Sequence, residues 1–245
     1  MSVYSYFLEV LRGKGAGYIV LIDPEKEGKC PYVPGVDAVF VGGSTFSGEG
    51  FEGVVKRLKS KVDCPVVLFP GSSIQVAGSA DAILFLSLIS GRNPKFLIEE
   101  HIKAAIPVYR MSIEVIPVGY ILVDGGKQSA VEVVSRTEPL ARNDIEGIVA
   151  HSLAGQFLGM KMIYLEAGSG ARLSVPCDVI EEVKRVLDIP LIVGGGIRTP
   201  EEAFKKVICG ADFIVTGNVL EKNPSLASEF ASAVREAGEK RRSEV

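Results

Sequence analysis

Two acids stand where a barrel enzyme could use them. Asp23 ends the apolar run Tyr18-Ile19-Val20-Leu21-Ile22, and Glu166 ends Met162-Ile163-Tyr164-Leu165. A carboxylate in the first position suits a hard cation such as Mg2+, which prefers oxygen ligands and takes one or two carboxylates together with a substrate's phosphates. A carboxylate in the second can orient a hydroxyl and accept its proton. Both also have plain structural readings, Asp23 as a cap beside Pro24 and Glu166 as an ion-pair partner. Glycine supplies a third feature, since Gly194-Gly195-Gly196 and Gly217-Asn218 each follow an apolar run. Bare backbone N–H groups there, with a short helix behind them, can hold a phosphate, although glycine also serves wherever φ must be positive.

The elements that position these residues recur along the chain. Short runs rich in Val, Ile, Leu and Phe predict strands at 17–22, 38–41, 66–69, 82–86, 115–123, 162–165, 191–193 and 213–216. Charged segments of helical period alternate with them, clearest at 51–61, 94–109, 144–158, 177–187, 200–208 and 224–237. Such alternation means β-α units and a parallel sheet. Val36-Asp37-Ala38, Ala80-Asp81-Ala82 and Ala211-Asp212-Phe213 form a weak internal repeat ahead of the second, fourth and eighth strands. Pro65 and Pro190 mark the entrances of the third and seventh, where no ladder donor is lost.

A chain of 245 residues allows two ordinary domains or one barrel. Eight β-α units without a linker favour an α/β fold, a single (β/α)8 TIM barrel over residues 1–245. Residues 1–15 have helical spacing and lack the apolar core of an export signal, so a leading N-terminal helix is expected. Two intervals are irregular. Residues 71–80 are too few for a third barrel helix with its loops, which predicts an irregular segment, and 24–35 leave little room for the first helix.

In a barrel the site lies at the carboxyl ends of the strands. The ends here are Asp23-Pro24, Gly42-Gly43-Ser44, Pro70-Gly71, Ser87, Asp124-Gly125-Gly126, Glu166 to Gly170, Gly194 to Gly196 and Thr216-Gly217-Asn218. Asp124 reads as part of a hairpin. His101 and His151 read as helix positions for surface or interface packing, the apolar residues of 96–98 and 104–106 as a barrel-packing face, and 239–244 as a frayed terminus.

Composition excludes several classes. With 27 Lys and Arg against 30 Asp and Glu, the net charge of −3 does not suit a nucleic-acid partner. No apolar run approaches the roughly 20 residues of a membrane span. Cys30, Cys64, Cys177 and Cys209 lack metal-type spacing and read as reduced thiols of a cytosolic protein.

Together, Leu21-Ile22-Asp23-Pro24, Val41-Gly42-Gly43-Ser44, Tyr164-Leu165-Glu166-Ala167-Gly168-Ser169-Gly170, Val193-Gly194-Gly195-Gly196-Ile197 and Thr216-Gly217-Asn218 resemble the geranylgeranylglyceryl phosphate synthase family over nearly the whole chain. The segments 116–126 and 134–137 are similar to its archaeal, larger-assembly branch. The resemblance implies Mg2+-dependent transfer of the prenyl group of geranylgeranyl diphosphate to the C3 hydroxyl of sn-glycerol 1-phosphate, the first ether-bond step of archaeal membrane phospholipids. It implies Asp23 and Ser44 as metal ligands. It implies Tyr164, Leu165, Glu166, Ala167, Gly168, Ser169, Gly170, Gly195, Gly196, Gly217 and Asn218 as binders of glycerol 1-phosphate, with Glu166 catalytic. The family also replaces the third barrel helix, which would open a groove for the prenyl tail. A cytoplasmic homo-oligomer is implied, a dimer or a hexamer, touching a membrane surface transiently with its lipid product. Glu25 departs from the family, which often has Asp there.

Three other readings remain. A sugar-phosphate isomerase or cyclase on the same fold needs a second catalytic acid, Cys or Lys at a strand end, and only Asp124 offers one. A non-catalytic phosphate-binding barrel needs neither Asp23 nor Glu166. A synthase for a longer prenyl chain would share every motif above.

Overall fold

The computed structural model describes residues 1–25, 35–43, 46 and 50–243. Eight parallel strands hydrogen-bond in sequence order and close into a barrel: β1 Gly17–Ile22, β2 Ala38–Val41, β3 Val66–Leu68, β4 Ala82–Leu88, β5 Glu114–Leu122, β6 Met162–Glu166, β7 Leu191–Gly194 and β8 Phe213–Thr216. Every expected strand is present, its ends within two residues of the expectation. The helices are α1 Val3–Lys14, α2 Phe51–Lys59, α3 Glu100–Met111, α4 Ala130–Ser135, α5 Ile145–Phe157, α6 Cys177–Val186, α7 Pro200–Ile208, α8 Asn218–Lys222 and α9 Leu226–Ser243. One π-helical turn, Lys95–Glu99, leads into α3.

Strand side chains alternate between two buried layers, as the pleat requires. Ile19, Phe40, Val67, Leu84, Tyr120, Tyr164, Ile192 and Val215 point into the barrel. Their neighbours Val20, Val39, Leu68, Ile83, Ile121, Leu165, Val193 and Ile214 pack outward under the helices. Both layers are buried side chains, so the barrel is a filled core. The leading helix closes its floor: Phe7 packs 5.2 Å from the Phe213 ring, and the Glu114 carboxylate accepts the N–H groups of Val3 and Tyr4 at the helix start.

The aspartate repeat proves to be a clamp. Asp37, Asp81 and Asp212 stand just before β2, β4 and β8, and each accepts the backbone N–H of the neighbouring odd strand, from Tyr18, Val66 and Leu191, at 2.8 to 2.9 Å. Each also meets a lysine from the helix ahead of that odd strand, Lys14, Lys59 and Lys184. One short side chain thus ties two strands and a helix together.

No helix lies between β3 and β4, as the length of the interval required. The two strands share only Val67↔Ala82 and Leu68↔Ile83, whereas β4 and β5 share seven register pairs. The interval between β1 and β2, where the first helix was in doubt, lies mostly outside the described residues.

Four expectations need correction. Cys177 at the start of α6 and Cys209 at the end of α7 form a disulfide with Cα atoms 5.5 Å apart. They are 32 residues apart in sequence, and only the adjacency of the two helices brings them together. Cys64 is free, and Cys30 lies outside the described residues. The carboxyl-terminal run is anchored, since Arg241 donates to the carbonyls of Val207 and Ala211 and meets Asp212. Asp124 begins no hairpin: its carboxylate accepts the Gly126 N–H in a tight turn that leads to α4. Finally, Ala104 packs on the barrel, but Ile98, Ile102, Ile106 and Tyr109 face outward, 53%, 66%, 57% and 81% exposed.

Candidate functional site

The pleat selects what reaches the barrel mouth. With Tyr164 inward, Glu166 two residues on is inward too, and Leu165 between them lies in the outer layer. Leu165 is therefore removed from the set of side chains facing a ligand, and only its backbone remains available. The same parity turns Asp23 inward on β1, beyond Ile19 and Leu21. Below these acids Phe69, Tyr120 and Tyr164 form an aromatic floor, with centroids 5.2 to 6.0 Å apart.

Glu166 is 6% exposed. One carboxylate oxygen accepts the Gly168 N–H at 2.7 Å. Burial pushes its pKa up to about 7, although that hydrogen bond and the Tyr164 and Tyr120 hydroxyls favour the anion. Burial, and then the Glu166 charge, raise both tyrosines well above their ordinary range. A buried carboxyl poised near neutrality has the proton affinity of a general base. The Tyr164 hydroxyl is close enough to act on Glu166, yet it makes no hydrogen bond of normal geometry. A buried polar atom left in that state needs a further partner.

The predicted glycines converge on this carboxylate. Gly194 lies opposite Glu166 in the sheet register. A Cβ on Gly195 would fall 2.2 Å from a Glu166 oxygen, and one on Gly194 the same distance from the Tyr164 hydroxyl. Gly195 and Gly196 have φ of 78° and 71°, so they are glycine for both turn geometry and space. From the β6 loop, Ser169 donates to the Asn218 side chain at 3.1 Å. Asn218 opens α8, with Gly217 as its cap. Ala167 and Gly168 are buried beside Glu166, while Ser169 and Gly170 are exposed at the lip. The loops after β6, β7 and β8 thus meet as the sequence suggested.

Asp23 ends β1, the strand that closes the barrel against β8, and so sits next to these loops. It is half-buried, accepts the Glu25 N–H at 3.0 Å, and lies 3.8 Å from where a Cβ on Gly43 would be. Ser44, its expected companion, lies outside the described residues. Among the described residues no group of three His, Cys, Asp or Glu could hold a metal by itself. A single inward carboxylate does fit Mg2+ where a substrate's phosphates complete the shell.

Sequence reasoning expected an apolar groove where the third helix is replaced, but it named none of the residues that line it. A largely apolar cavity, open to solvent, runs from the aromatic floor into the gap left by the absent helix. Phe69, Leu84, Leu86, Phe96, Ala104 and Tyr120 are among its walls. His101 lines it too, buried under α3 with its ring 4.5 Å from Phe85 and one nitrogen 3.3 Å from the Ser87 hydroxyl. Burial lowers its pKa. The surface placement expected for His101 is thus corrected, because the bare segment beneath α3 lets the helix pack directly on β4. His151 is half-buried on α5, its ring 2.7 Å from the Gly147 carbonyl. Strand parity could have found Tyr120, since it shares its face with Leu122 and Val118. No periodic signal marks His101.

Barrels that gather glycine loops after their last strands form a class of phosphate-handling enzymes, and the chain falls within it by fold and by site. Residues 8–237 match the PcrB family. The chain belongs to that family and is a transferase. It is 50% identical to geranylgeranylglyceryl phosphate synthase of Zunongwangia profunda over 209 residues, 82% of this chain and 89% of that protein. To the synthase of Thermococcus gammatolerans it is 43% identical over 233 residues, 92% of each. The crystal structure of (S)-3-O-geranylgeranylglyceryl phosphate synthase from Thermoplasma acidophilum, in complex with its substrate sn-glycerol-1-phosphate, superposes with a TM-score of 0.87 at 35% identity, covering 96% of this chain and 99% of that one.

Proposed function

We propose that this transferase joins geranylgeranyl diphosphate to the C3 hydroxyl of sn-glycerol 1-phosphate with Mg2+ bound, the first committed step of archaeal membrane phospholipid synthesis. One observation carries the reading: a buried carboxyl near neutrality stands between phosphate-suited glycine loops and an apolar cavity. A sugar-phosphate enzyme has no use for that cavity. A lipid-making enzyme needs both halves.

The glycerol phosphate sits on the loops after β6, β7 and β8. Its phosphate is held by the backbone N–H groups of Gly195, Gly196, Gly217 and Asn218, with Ser169 and Gly170 at the lip. Its hydroxyls face Glu166 and the Tyr164 hydroxyl, which gains the partner it lacks. Glu166 orients the C3 hydroxyl and takes its proton as the oxygen forms a bond to the first prenyl carbon. The bond from that carbon to the diphosphate breaks, and diphosphate leaves with the electron pair. Asp23 and Ser44 hold Mg2+, which when bound neutralises charge on the leaving diphosphate. The prenyl tail lies along Phe69, Leu84 and Phe96, where burial excludes water from the reacting carbon.

The protein works in the cytoplasm as a homo-oligomer, a dimer or a hexamer. The exposed stripe of Ile98 in the π-helical turn and Ile102, Ile106 and Tyr109 on α3 supports association, since apolar patches of this kind mark interfaces. No helix among the described residues is long and apolar enough to cross a membrane, so the product leaves by transient contact with a membrane surface.

The decisive assay follows labelled prenyl transfer to each enantiomer of glycerol phosphate, with and without EDTA, in the parent, Glu166→Gln and Asp23→Asn. Product from the 1-phosphate alone, lost with EDTA and in both variants, is expected. Undiminished product in both variants would refute the assigned site, and none from any prenyl diphosphate would refute the activity.

A further inference from the structure

The segment that replaces the third barrel helix carries one buried polar side chain. Gln75 is 1% exposed, and among the described residues every hydrogen bond it makes through its side chain goes to backbone at the mouth. Its amide nitrogen donates to the Gly43 carbonyl at 2.7 Å and to the Phe46 carbonyl at 3.4 Å. Its amide oxygen accepts the N–H of Gly43 at 3.3 Å and of Gly71 at 3.2 Å. Gly43 is thus gripped at both its polar atoms. Space is equally constrained next door, where a Cβ on Gly42 would fall 1.9 Å from the Phe69 carbonyl oxygen and 3.2 Å from the Gln75 oxygen. Gly43 in turn lies beside the Asp23 carboxylate. On the other side, Phe69, Pro70, Gly71 and Val76 of the same segment line the apolar cavity.

We propose that Gln75 is a positioning residue for the prenyl diphosphate, fixing the backbone at the end of β2 against Asp23 and tying it to the wall of the cavity. The inference rests on the proposed function and deepens it. One amide side chain sets the distance between the charged and apolar ends of the same substrate. A substrate with a charged head and a hydrocarbon tail needs these two subsites in fixed register, because a small displacement of bound groups is costly to reaction. A helix in this position would satisfy its own backbone and leave the β2 loop without its clamp. An irregular segment must spend a side chain to do so.

The test compares Gln75→Met, which keeps the length and loses all four hydrogen bonds, with Gln75→Glu, which keeps the acceptor and loses the donor. Inorganic diphosphate with Mg2+, and sn-glycerol 1-phosphate alone, are titrated into each by calorimetry, and KM is measured for both substrates. Diphosphate binding and the KM for geranylgeranyl diphosphate should each weaken about tenfold in Gln75→Met, roughly the worth of one buried hydrogen bond, and less in Gln75→Glu. Glycerol 1-phosphate binding should stay within about twofold, less than the ~0.6 kcal/mol of thermal energy. Equal weakening of both ligands in the two variants would make Gln75 a general structural residue and overturn the proposal. So would diphosphate binding that neither variant changes. A parent protein that binds no diphosphate at all sinks the functional reading itself, and the inference with it.

Discussion

Glu166→Gln should make this protein more stable at alkaline pH while removing its activity. The Glu166 carboxyl is raised from 4.5 to about 7, first by burial. The folded state therefore holds that proton more tightly than the unfolded chain does. Its contribution to stability is full below pH 4.5 and lost as pH rises through about 7. At ~1.4 kcal/mol per pKa unit, ionised Glu166 costs the folded state roughly 3 kcal/mol at pH 8.5, given a rise from 4.5 to about 7. An amide of the same shape avoids that cost and can still accept the Gly168 N–H through its oxygen. For a chain of this size ~1 kcal/mol moves Tm by roughly 2 to 4 °C, so the variant should melt about 6 to 12 °C higher at pH 8.5. Urea unfolding and calorimetry at pH 4.5, 7 and 8.5 would follow the difference, which should be near zero at the acid end and open as pH passes 7. Prenyl transfer by the parent should rise over the same interval, and the variant should lose roughly 100- to 10,000-fold. A stability offset that is constant with pH, or a parent more stable than the variant at pH 8.5, refutes the claim that the site holds a buried charge at a cost.

Gly195→Ala places a methyl 2.2 Å from a Glu166 oxygen at φ 78° and should abolish calorimetric binding of glycerol 1-phosphate. Gly159→Ala, at φ 89° with nothing within 4 Å, should lose only about 1 kcal/mol of stability and no binding. Reduction of Cys177–Cys209, whose residues lie 32 apart, should lower stability by up to about 4 kcal/mol. Cys209→Ser should then be insensitive to reductant, and a parent equally insensitive would count against the bond. Ala104→Phe, at a cavity wall, should shift preference from geranylgeranyl toward farnesyl and geranyl diphosphates in a competition assay. Unchanged preference would mean the tail lies elsewhere.

The barrel was legible because each strand is a short apolar run with Gly or Pro at its border, a local signal. The aspartate repeat was visible as a pattern, though its meaning required the fold, since each carboxylate serves a strand 15 to 21 residues away. Candidate site residues were legible where chemistry demands a residue type at a strand end, as for Glu166 and the glycines. Leu165 shows the limit of a motif read as a block: alternation puts every second member on the far side of the sheet. Gln75 and His101 were invisible for another reason. Each is a buried polar residue whose partners come from other segments, and neither position has a period to betray it. The disulfide depends on two helices meeting, which cysteine spacing alone does not encode.

The gap between β3 and β4 separates two kinds of evolutionary freedom. At the far rim, Gly194 and Gly195 have no room for even a methyl group, so these positions tolerate almost no drift. The segment between β3 and β4 owes little to the sheet, which is joined there by two register pairs alone. Apart from Gln75, whose amide holds the backbone of Gly43 and Gly71, its side chains can be exchanged without moving a ladder bond elsewhere. On the proposed function, selection can therefore retune the hydrocarbon a descendant accepts while leaving the carboxylate and glycines of the far rim in place, and lineages can diverge along this one seam.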